Sequence, residues 1–473
     1  MNRIASALAC VSLFGFELIA TAEPVSVGDA ILTLSASQAT ASFGGAIAAT
    51  GDVDGDGIDD IVVFGADQDD SSCEQPPCSV RTLFQFSGAT GNLIKIEQPF
   101  PRTSILIGIY DVDGDGVRDF LSSEGGSLPS KSFIYSGATL QRLHSFDGGA
   151  AAAMIDDIDG DGVDEIVTGH RGSTNNPGRV HVYSGTTRTV LHKFVGESND
   201  DWFGHAVAGV SDVNGDGIGD IFVGAPRDDT AGSNAGRVYV FSGLTGQLLF
   251  TLEGENPNDE FGSAVHQFED INNDGVGDLI IGAPFFDGAA SGSGRIYIFS
   301  GVDGALLQSH IGANYNGRLG SVIHGGGDLN GDSIPDVLVS EPGNIYSDFG
   351  GTVYVLGGVD GHIVTTFYSL IGGGEFGSSL ATINDLNGDG VVDVLVGAPS
   401  HEVPDDAAEG RVFLFAQFVF ATADLNEDRF VNGTDIAILL SAWGQTGFPA
   451  GDINGDGVIN GADLAILLAS WTG

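Results

Sequence analysis

Apolar and polar residues alternate along this chain in short bursts, not in helical periods. Between residues 202 and 254, "WFGHAVAGV", "IFVGAP", "GRVYVFSG" and "GQLLFTLEG" mix β-branched and aromatic residues with small or polar ones, and each is bounded by Gly, Asp or Asn. Such alternation, closed off by turn formers, predicts four short antiparallel strands. An acidic nonamer lies between the first and second of them. It recurs with starts at 52, 111, 157, 212, 270, 328 and 385, so that seven copies stand 46 to 59 residues apart. A period of that length is one four-stranded propeller blade. The predicted fold is therefore mainly all-β, a seven-bladed β-propeller of four-stranded blades.

Seven blades must close, because an open array leaves two bare sheet edges. The seventh repeat ends on "GRVFLFAQFVF" without a fourth strand, whereas the N-terminal region offers an orphan strand, "AILTLSA", just ahead of "SFGGA". That orphan fits the vacant slot. It is expected to complete the last blade and shut the ring.

Composition narrows the partners. The 473 residues carry 17 Lys plus Arg against 64 Asp plus Glu, a net charge of -47, with 42% hydrophobic residues and 74 glycines. The chain is too apolar for a disordered acidic tail, and too rich in glycine for a helical protein. Nucleic acid and anionic membranes are poor partners for such a surface, and cations are good ones.

The nonamers are where cations are expected. The first loop sets Asp52, Asp54, Asp56 and Asp60 at positions 1, 3, 5 and 9, with the Ile58 carbonyl at position 7. The same positions hold Asp111, Asp113, Asp115, Val117 and Asp119 in the second loop and Asp157, Asp159, Asp161, Val163 and Glu165 in the third. They hold Asp212, Asn214, Asp216, Ile218 and Asp220 in the fourth, and Asp270, Asn272, Asp274, Val276 and Asp278 in the fifth. The sixth has Asp328, Asn330, Asp332, Ile334 and Asp336, and the seventh Asp385, Asn387, Asp389, Val391 and Asp393. Hard oxygen donors at this spacing wrap an ion of calcium size, and glycines at positions 4 and 6 let the backbone turn to aim them. A single copy would read as a tight polar turn. An acid at position 9 in all seven decides for the cation, in a structural role. Loop six departs most, with Ser333 in place of the position-6 glycine.

Phe-Gly before the loop (Phe203-Gly204, Phe261-Gly262, Phe376-Gly377) and Gly-Ala-Pro after it (224–226, 282–284, 397–399) resemble the FG-GAP repeat of integrin α-chain propellers and their bacterial relatives. The resemblance implies a propeller over residues 27–420 and a binding or adhesion role.

After Phe420 the pattern changes to two loop-helix copies, "DLNEDRFVNGTDIAILLSAW" and "DINGDGVINGADLAILLASW". Asp424, Asn426, Asp428, Phe430 and Asp435, then Asp452, Asn454, Asp456, Val458 and Asp463, stand at positions 1, 3, 5, 7 and 12, an EF-hand spacing with Asp replacing the terminal Glu. Arg429 occupies the position-6 slot of the first loop, which weakens it. Apolar residues Ile436, Leu439, Leu440 and Trp443 recur at helical spacing, as do Leu464, Leu467, Leu468 and Trp471. Residues 421–473 resemble a type I dockerin, which implies calcium-dependent folding and a cohesin-type partner. Whether this apolar face packs internally or docks a partner stays open at this point.

Residues 1–22 read as a secretory signal: Arg3, an apolar run, then Ala20 and Ala22 placed for cleavage before Glu23. The expected location is secreted, extracellular or at the cell surface. Cys73 and Cys78, in "CEQPPC", suit a local disulfide in an exported chain. On the face opposite the acidic hairpins, the loops carry Trp202, Phe285, Phe286, Tyr315, Tyr346 and His401 beside Asp228, Asp229, Asn256 and Asn258. Trp202, Phe285, Tyr315 and Tyr346 are candidate contacts for a protein or glycan ligand. His266 and His324 are placed for the central channel. Arg179, Arg237, Arg295 and Arg411 open strand three, a slot suited to ion pairs between blades. No nucleophile, metalloprotease or phosphate-loop motif is present, and no acid/base cluster can be assembled. A non-catalytic binding propeller is favoured over its alternative, an extracellular carbohydrate-active enzyme.

Overall fold

The computed structural model describes residues 25–26, 30–35, 40–67, 81–125, 130–330, 333–343, 350–387, 391–401, 410–416 and 433–444, with single positions 459, 461 and 464. Residues Glu23–Ala421 form one compact unit, and Thr422–Gly473 belong to another. Cys73, Cys78, Asp332, Tyr346, Asp389, the first loop of the C-terminal module up to Phe430, and Asp452 to Val458 with Asp463 lie outside the described residues.

Seven sheets of four antiparallel strands make up the larger unit; six run outward in chain order from strand one to strand four, and in blade 7 the fourth place is taken by Leu32–Leu34. The inner strands are Thr40–Ala49, Ile105–Gly108, Ala151–Ile155, Ala206–Val210, Ala264–Phe268, Ile323–Gly327 and Ser379–Ile383. Blade 4 is typical: Ala206–Val210 pairs with Asp220–Ala225, which pairs with Arg237–Phe241, which pairs with Leu248–Glu253. Each acidic nonamer is the hairpin between strands one and two, as its position in the repeat requires. Strand two is buried along its whole length in blades 2 to 7. It therefore reads as an unbroken apolar run, because each sheet is covered on both faces by its neighbours.

Seven apolar clusters hold the ring, one at each junction between blades. The cluster joining blades 4 and 5, for example, packs Phe222, Val238 and Val240 against Phe261, Leu279, Ile281 and Tyr297. The Phe-Gly and Gly-Ala-Pro signatures belong to these junctions. Phe203, Phe261 and Phe376 are buried. Gly204, Gly262 and Gly377 have φ of 81°, 88° and 95°, a region open to glycine. A Cβ on Gly224 would stand 2.1 Å from the Gly262 carbonyl oxygen, one on Gly282 2.1 Å from that of Gly320, and one on Gly397 2.1 Å from that of Gly44. The two signatures are thus the halves of one joint, and the last of these joints links blade 7 to blade 1.

The ring shuts as expected, by Leu32–Leu34 pairing antiparallel with strand three of blade 7 in the register Leu32↔Leu414, Thr33↔Phe413 and Leu34↔Val412. The seam is shorter than the seven-residue apolar stretch in the sequence. One pairing was not foreseen: Val25–Ser26 adds a parallel fifth strand to blade 6 beside Phe367–Tyr368. Blade 2 lacks Gly-Ala-Pro and uses buried hydroxyls there instead. Thr103 bonds Ser122 at 2.9 Å, Ser123 bonds Ser132 at 2.7 Å, and Ser132 donates to the Gly148 carbonyl at 2.6 Å.

In the C-terminal unit a helix runs Gly433–Ser441. Its apolar residues do not form one buried face. Leu439 and Ala442 are buried, whereas Leu440 and Trp443 are 51% and 45% exposed. The Gly444 amide donates to the carbonyl of Ile459 at 2.8 Å, which ties the helix end to the second half of the module.

Candidate metal centres and the opposite face

Among the described residues, the acidic hairpins of blades 1 to 6 are ordered by their own carboxylates. In blade 1, Asp52 Oδ1 accepts from the Gly55 amide at 2.7 Å and Oδ2 from the Gly57 amide at 2.8 Å. Asp54 Oδ1 accepts from the Asp56 amide at 3.2 Å, and Asp56 Oδ1 from the Ile58 amide at 2.9 Å. Glycines at positions 4 and 6 reach φ of 84° and 92°, which lets successive amides converge on one side chain. Blades 2, 3 and 4 repeat the position-1 bonds within 0.2 Å. In blade 6, Ser333 takes the left-handed turn itself, at φ 69°, and its amide still donates to Asp328 Oδ2 at 2.8 Å.

The position-9 acid anchors the hairpin to its blade. Asp60 is fully buried, and accepts the Val53 amide at 2.8 Å and the Gly88 amide at 3.1 Å. Gly88 opens the turn between strands three and four. The equivalent amides of Gly137, Gly243, Gly301 and Gly358 reach Asp119, Asp220, Asp278 and Asp336 at 2.9 to 3.2 Å. The serine before that glycine completes the contact: Ser87, Ser184, Ser242 and Ser300 donate to the position-5 Asp at 3.1 to 3.3 Å. These Ser-Gly pairs are part of the site. They recur in the sequence after strand three, where strand-end composition hides them.

The donor set fits a divalent cation. Oxygens of Asp52, Asp54 and Asp60 lie within 4.8 Å of one another, as do those of Asp111, Asp113 and Asp115, and those of Asp157, Asp159 and Glu165. That is the span of oxygens on opposite sides of a calcium ion, with calcium to oxygen about 2.4 Å. Glu165 Oε1 is buried and has no hydrogen-bond partner. Burial is the first cause that pushes Asp60, Asp220 and Asp278 up to about 6 and Glu165 to about 7, with the other loop carboxylates adding to it and backbone amides opposing. Position 1 goes the other way: amide bonds from Gly116 and Gly162 hold Asp111 and Asp157 below the usual carboxylate range. Without a cation, the hairpins of blades 2 and 3 thus crowd an acid that ionises readily, Asp111 or Asp157, against one that burial pushes up, Asp119 or Glu165. A calcium ion would relieve both.

The opposite face brings the candidate ligand residues to the loops that lead into strand one or leave strand two. Trp202 is not a free plate there. The guanidinium carbons of Arg227 and Arg171 lie 3.6 and 4.3 Å from its ring centroid, and the His205 ring stacks on it at 5.3 Å. Phe285 is 39% exposed with Arg318 over its ring at 5.3 Å, and Tyr315 is 67% exposed. Phe286 is buried under Arg295, and His401 packs on Phe413. Of the strand-three arginines, Arg237 pairs with Glu197 of the preceding blade at 3.5 Å and with Glu253 of its own at 2.8 Å, and Arg295 pairs with Glu255 of the preceding blade at 2.8 Å, whereas Arg179 makes no ion pair among the described residues.

A central cavity of about 820 Å³ runs between the seven inner strands, lined chiefly by Ala, Ile, Val and Ser. His266 and His324 both border it, and each ring bonds the carbonyl of the next residue, at 2.7 and 2.6 Å. The expected channel placement is met, and a backbone carbonyl satisfies each ring as well.

Among known families, the FG-GAP repeat matches residues 203–241, 261–299, 319–356 and 376–415, and the Dockerin type I domain matches residues 422–470. Integrin alpha-4 of Xenopus laevis is 31% identical over 275 residues, covering 54% of this chain and 25% of the integrin. Integrin alpha-2 of Bos taurus is 33% identical over 267 residues, covering 52% and 22%. The chain spans a quarter or less of the length of these relatives. The crystal structure of BBS1N in complex with ARL6DN, soaked with lead, superposes with a TM-score of 0.50 at 12% identity, over 81% of this chain and 95% of that one. At that identity the likeness is one of fold. The chain carries FG-GAP repeats on a seven-bladed propeller, followed by a Dockerin type I domain. No helix among the described residues is long and apolar enough to cross a membrane.

Proposed function

We propose that this chain is an exported, calcium-stabilised binding or adhesion propeller without catalytic activity, attached through its dockerin module to a cohesin-type partner. The observation that carries the reading is the repetition of one carboxylate cage, built to the same bonds in hairpin after hairpin on one face of the ring. Catalytic groups are seldom spread evenly around a fold; structural ions are. The seven hairpins would each hold calcium through positions 1, 3, 5 and 9 and the position-7 carbonyl. The two C-terminal loops would hold two more, through Asp424 to Asp435 and Asp452 to Asp463. The exposed pair Leu440 and Trp443 supports a docking surface on the module. The integrin relatives support a protein-binding or adhesive role for the propeller.

Calcium titration into the chelator-stripped full chain tests this. Each site held at a hundred times its Kd contributes about 2.7 kcal/mol, so the melting temperature should climb with calcium and helical signal should return with it. A melt indifferent to calcium overturns the reading. Release of reducing sugar or unsaturated uronate from polysaccharides would overturn its non-catalytic part.

A further inference from the structure

In a chain with 64 acidic residues and 17 basic ones, an arginine without a carboxylate partner calls for a reason. Four arginines stand in loops on the face opposite the acidic hairpins, close in sequence or in space to Ser104, His205 and Ser321, which line the central cavity. Arg171 follows strand two of blade 3 and Arg227 strand two of blade 4, and both lie on Trp202. Arg318, in the loop leading into blade 6, lies over Phe285. Arg102, in the loop leading into blade 2, is exposed, and its charge reaches Arg171. Glu260 pairs with Arg227 at 3.3 Å and its charge also reaches Arg171 and Arg318, yet among the described residues Arg102, Arg171 and Arg318 make no ion pair of their own. Beside them, at the cavity wall, His205 Nδ1 is buried without a hydrogen-bond partner.

We propose that Arg102, Arg171, Arg227 and Arg318 form a binding site for uronic-acid glycans at the mouth of the central cavity. Planar guanidinium groups pair with carboxylates through two parallel N–H bonds, and stacking on Trp202 and Phe285 holds three of these forks in place before any ligand arrives. The exposed rings of Phe285, beside Arg318, and of Tyr315, three residues before it in sequence, offer flat apolar surface for the C–H face of a sugar. Net charge sets the ligand class. A dense polyanion is repelled by a chain of net charge -47, and by Asp200, Asp201, Asp228 and Asp229 at the border of the patch. A uronate chain separates its carboxylates by neutral hydroxylated rings, which this border tolerates.

The site rests on the reading of the propeller as a binding module, and the two can fail separately. The test uses the calcium-loaded full chain, with short oligogalacturonates and oligoglucuronates and the same compounds carboxyl-reduced to neutral sugars. Binding is followed by calorimetry. The acidic oligosaccharides should bind, their reduced forms should not, and Arg318→Gln and Arg171→Gln should each weaken binding about tenfold, the worth of one charged hydrogen bond. Arg318→Gln touches no ion pair and should melt as the parent does, so its loss of affinity cannot be ascribed to unfolding. Arg142→Gln, on the outer strand of blade 2, should bind as the parent. The site is overturned by no binding of either uronate series, by equal affinity for the reduced sugars, by unchanged affinity in both variants, or by tighter binding of an acidic peptide. Cleavage of a bound oligosaccharide would leave the site standing and refute the non-catalytic reading.

Discussion

Exchanging Asp60 for Asn (D60N) removes one charge and almost no volume. The side chain is fully buried and takes two amides, Val53 at 2.8 Å and Gly88 at 3.1 Å, one on each oxygen. An asparagine offers one oxygen and one NH2, so one amide must face another donor. Losing that charge-assisted bond and leaving a buried donor unmet costs about 2 to 3 kcal/mol. Losing a calcium site held at a hundred times its Kd costs about 2.7 kcal/mol more. Near neutral pH in calcium, D60N should therefore lose about 5 kcal/mol. In chelator below about pH 5 the outcome should differ, because burial has pushed the Asp60 carboxyl up to about 6 and the parent side chain is already neutral there. The two proteins should then agree to within about 1 kcal/mol. Urea unfolding of both, in calcium and in chelator at each pH, measures the four differences, with equal slopes required for the comparison. A loss of the same size in every condition would refute the argument, since it would make Asp60 a hydrogen-bond anchor with no part in metal binding.

Two further outcomes follow from the same structure. Burial, first among the causes, holds His170, His205 and His324 down to about 4, so the unfolded chain takes up these protons from about pH 6.5 while the fold resists until about 4. In calcium the melting temperature should therefore fall on going from about pH 7 to about pH 5; in chelator the raised acids Asp60, Glu165, Asp220 and Asp278 act with the opposite sign, gaining protons in the fold first, so the fall should flatten or reverse. A pH profile unaltered by chelator would contradict this. Phe261→Ala, which empties a fully buried site where the ring meets Tyr297 at 5.4 Å and Phe299 at 6.0 Å edge-on, should cost about 3 to 5 kcal/mol in calcium and chelator alike, measured by urea unfolding. A cost that vanished in chelator would mean the junction is assembled by the ions.

The blade order and the hairpin cages can be read from the sequence because each repeats, and the closing strand because the seventh repeat leaves its slot empty; repetition turns a weak local pattern into a constraint. What did not repeat stayed hidden. Val25–Ser26 pairs through two residues with no pattern of their own. Blade 2 could be counted but not explained until the Ser122, Ser123 and Ser132 hydroxyls were seen replacing a glycine joint. Trp202 illustrates the limit for binding sites. An aromatic residue in a loop reads as a ligand plate, and only three-dimensional structure shows that Arg171 and Arg227 from two different blades already lie on it. The C-terminal helix teaches the same lesson, since Leu439 and Leu440 share one apolar stripe in sequence yet one is buried and the other exposed.

The ring is a circle with one join that is not covalent. Three residue pairs, Leu32 to Leu34 against Val412 to Leu414, do the work that peptide bonds do between the other blades, and Arg411–Phe415 is the last described strand of the propeller before the C-terminal module in sequence. Any pull arriving along the chain from beyond Ala416 would load this strand before any other. Under tension the propeller should begin to open there, at blade 7, with the remaining six blades still folded behind it.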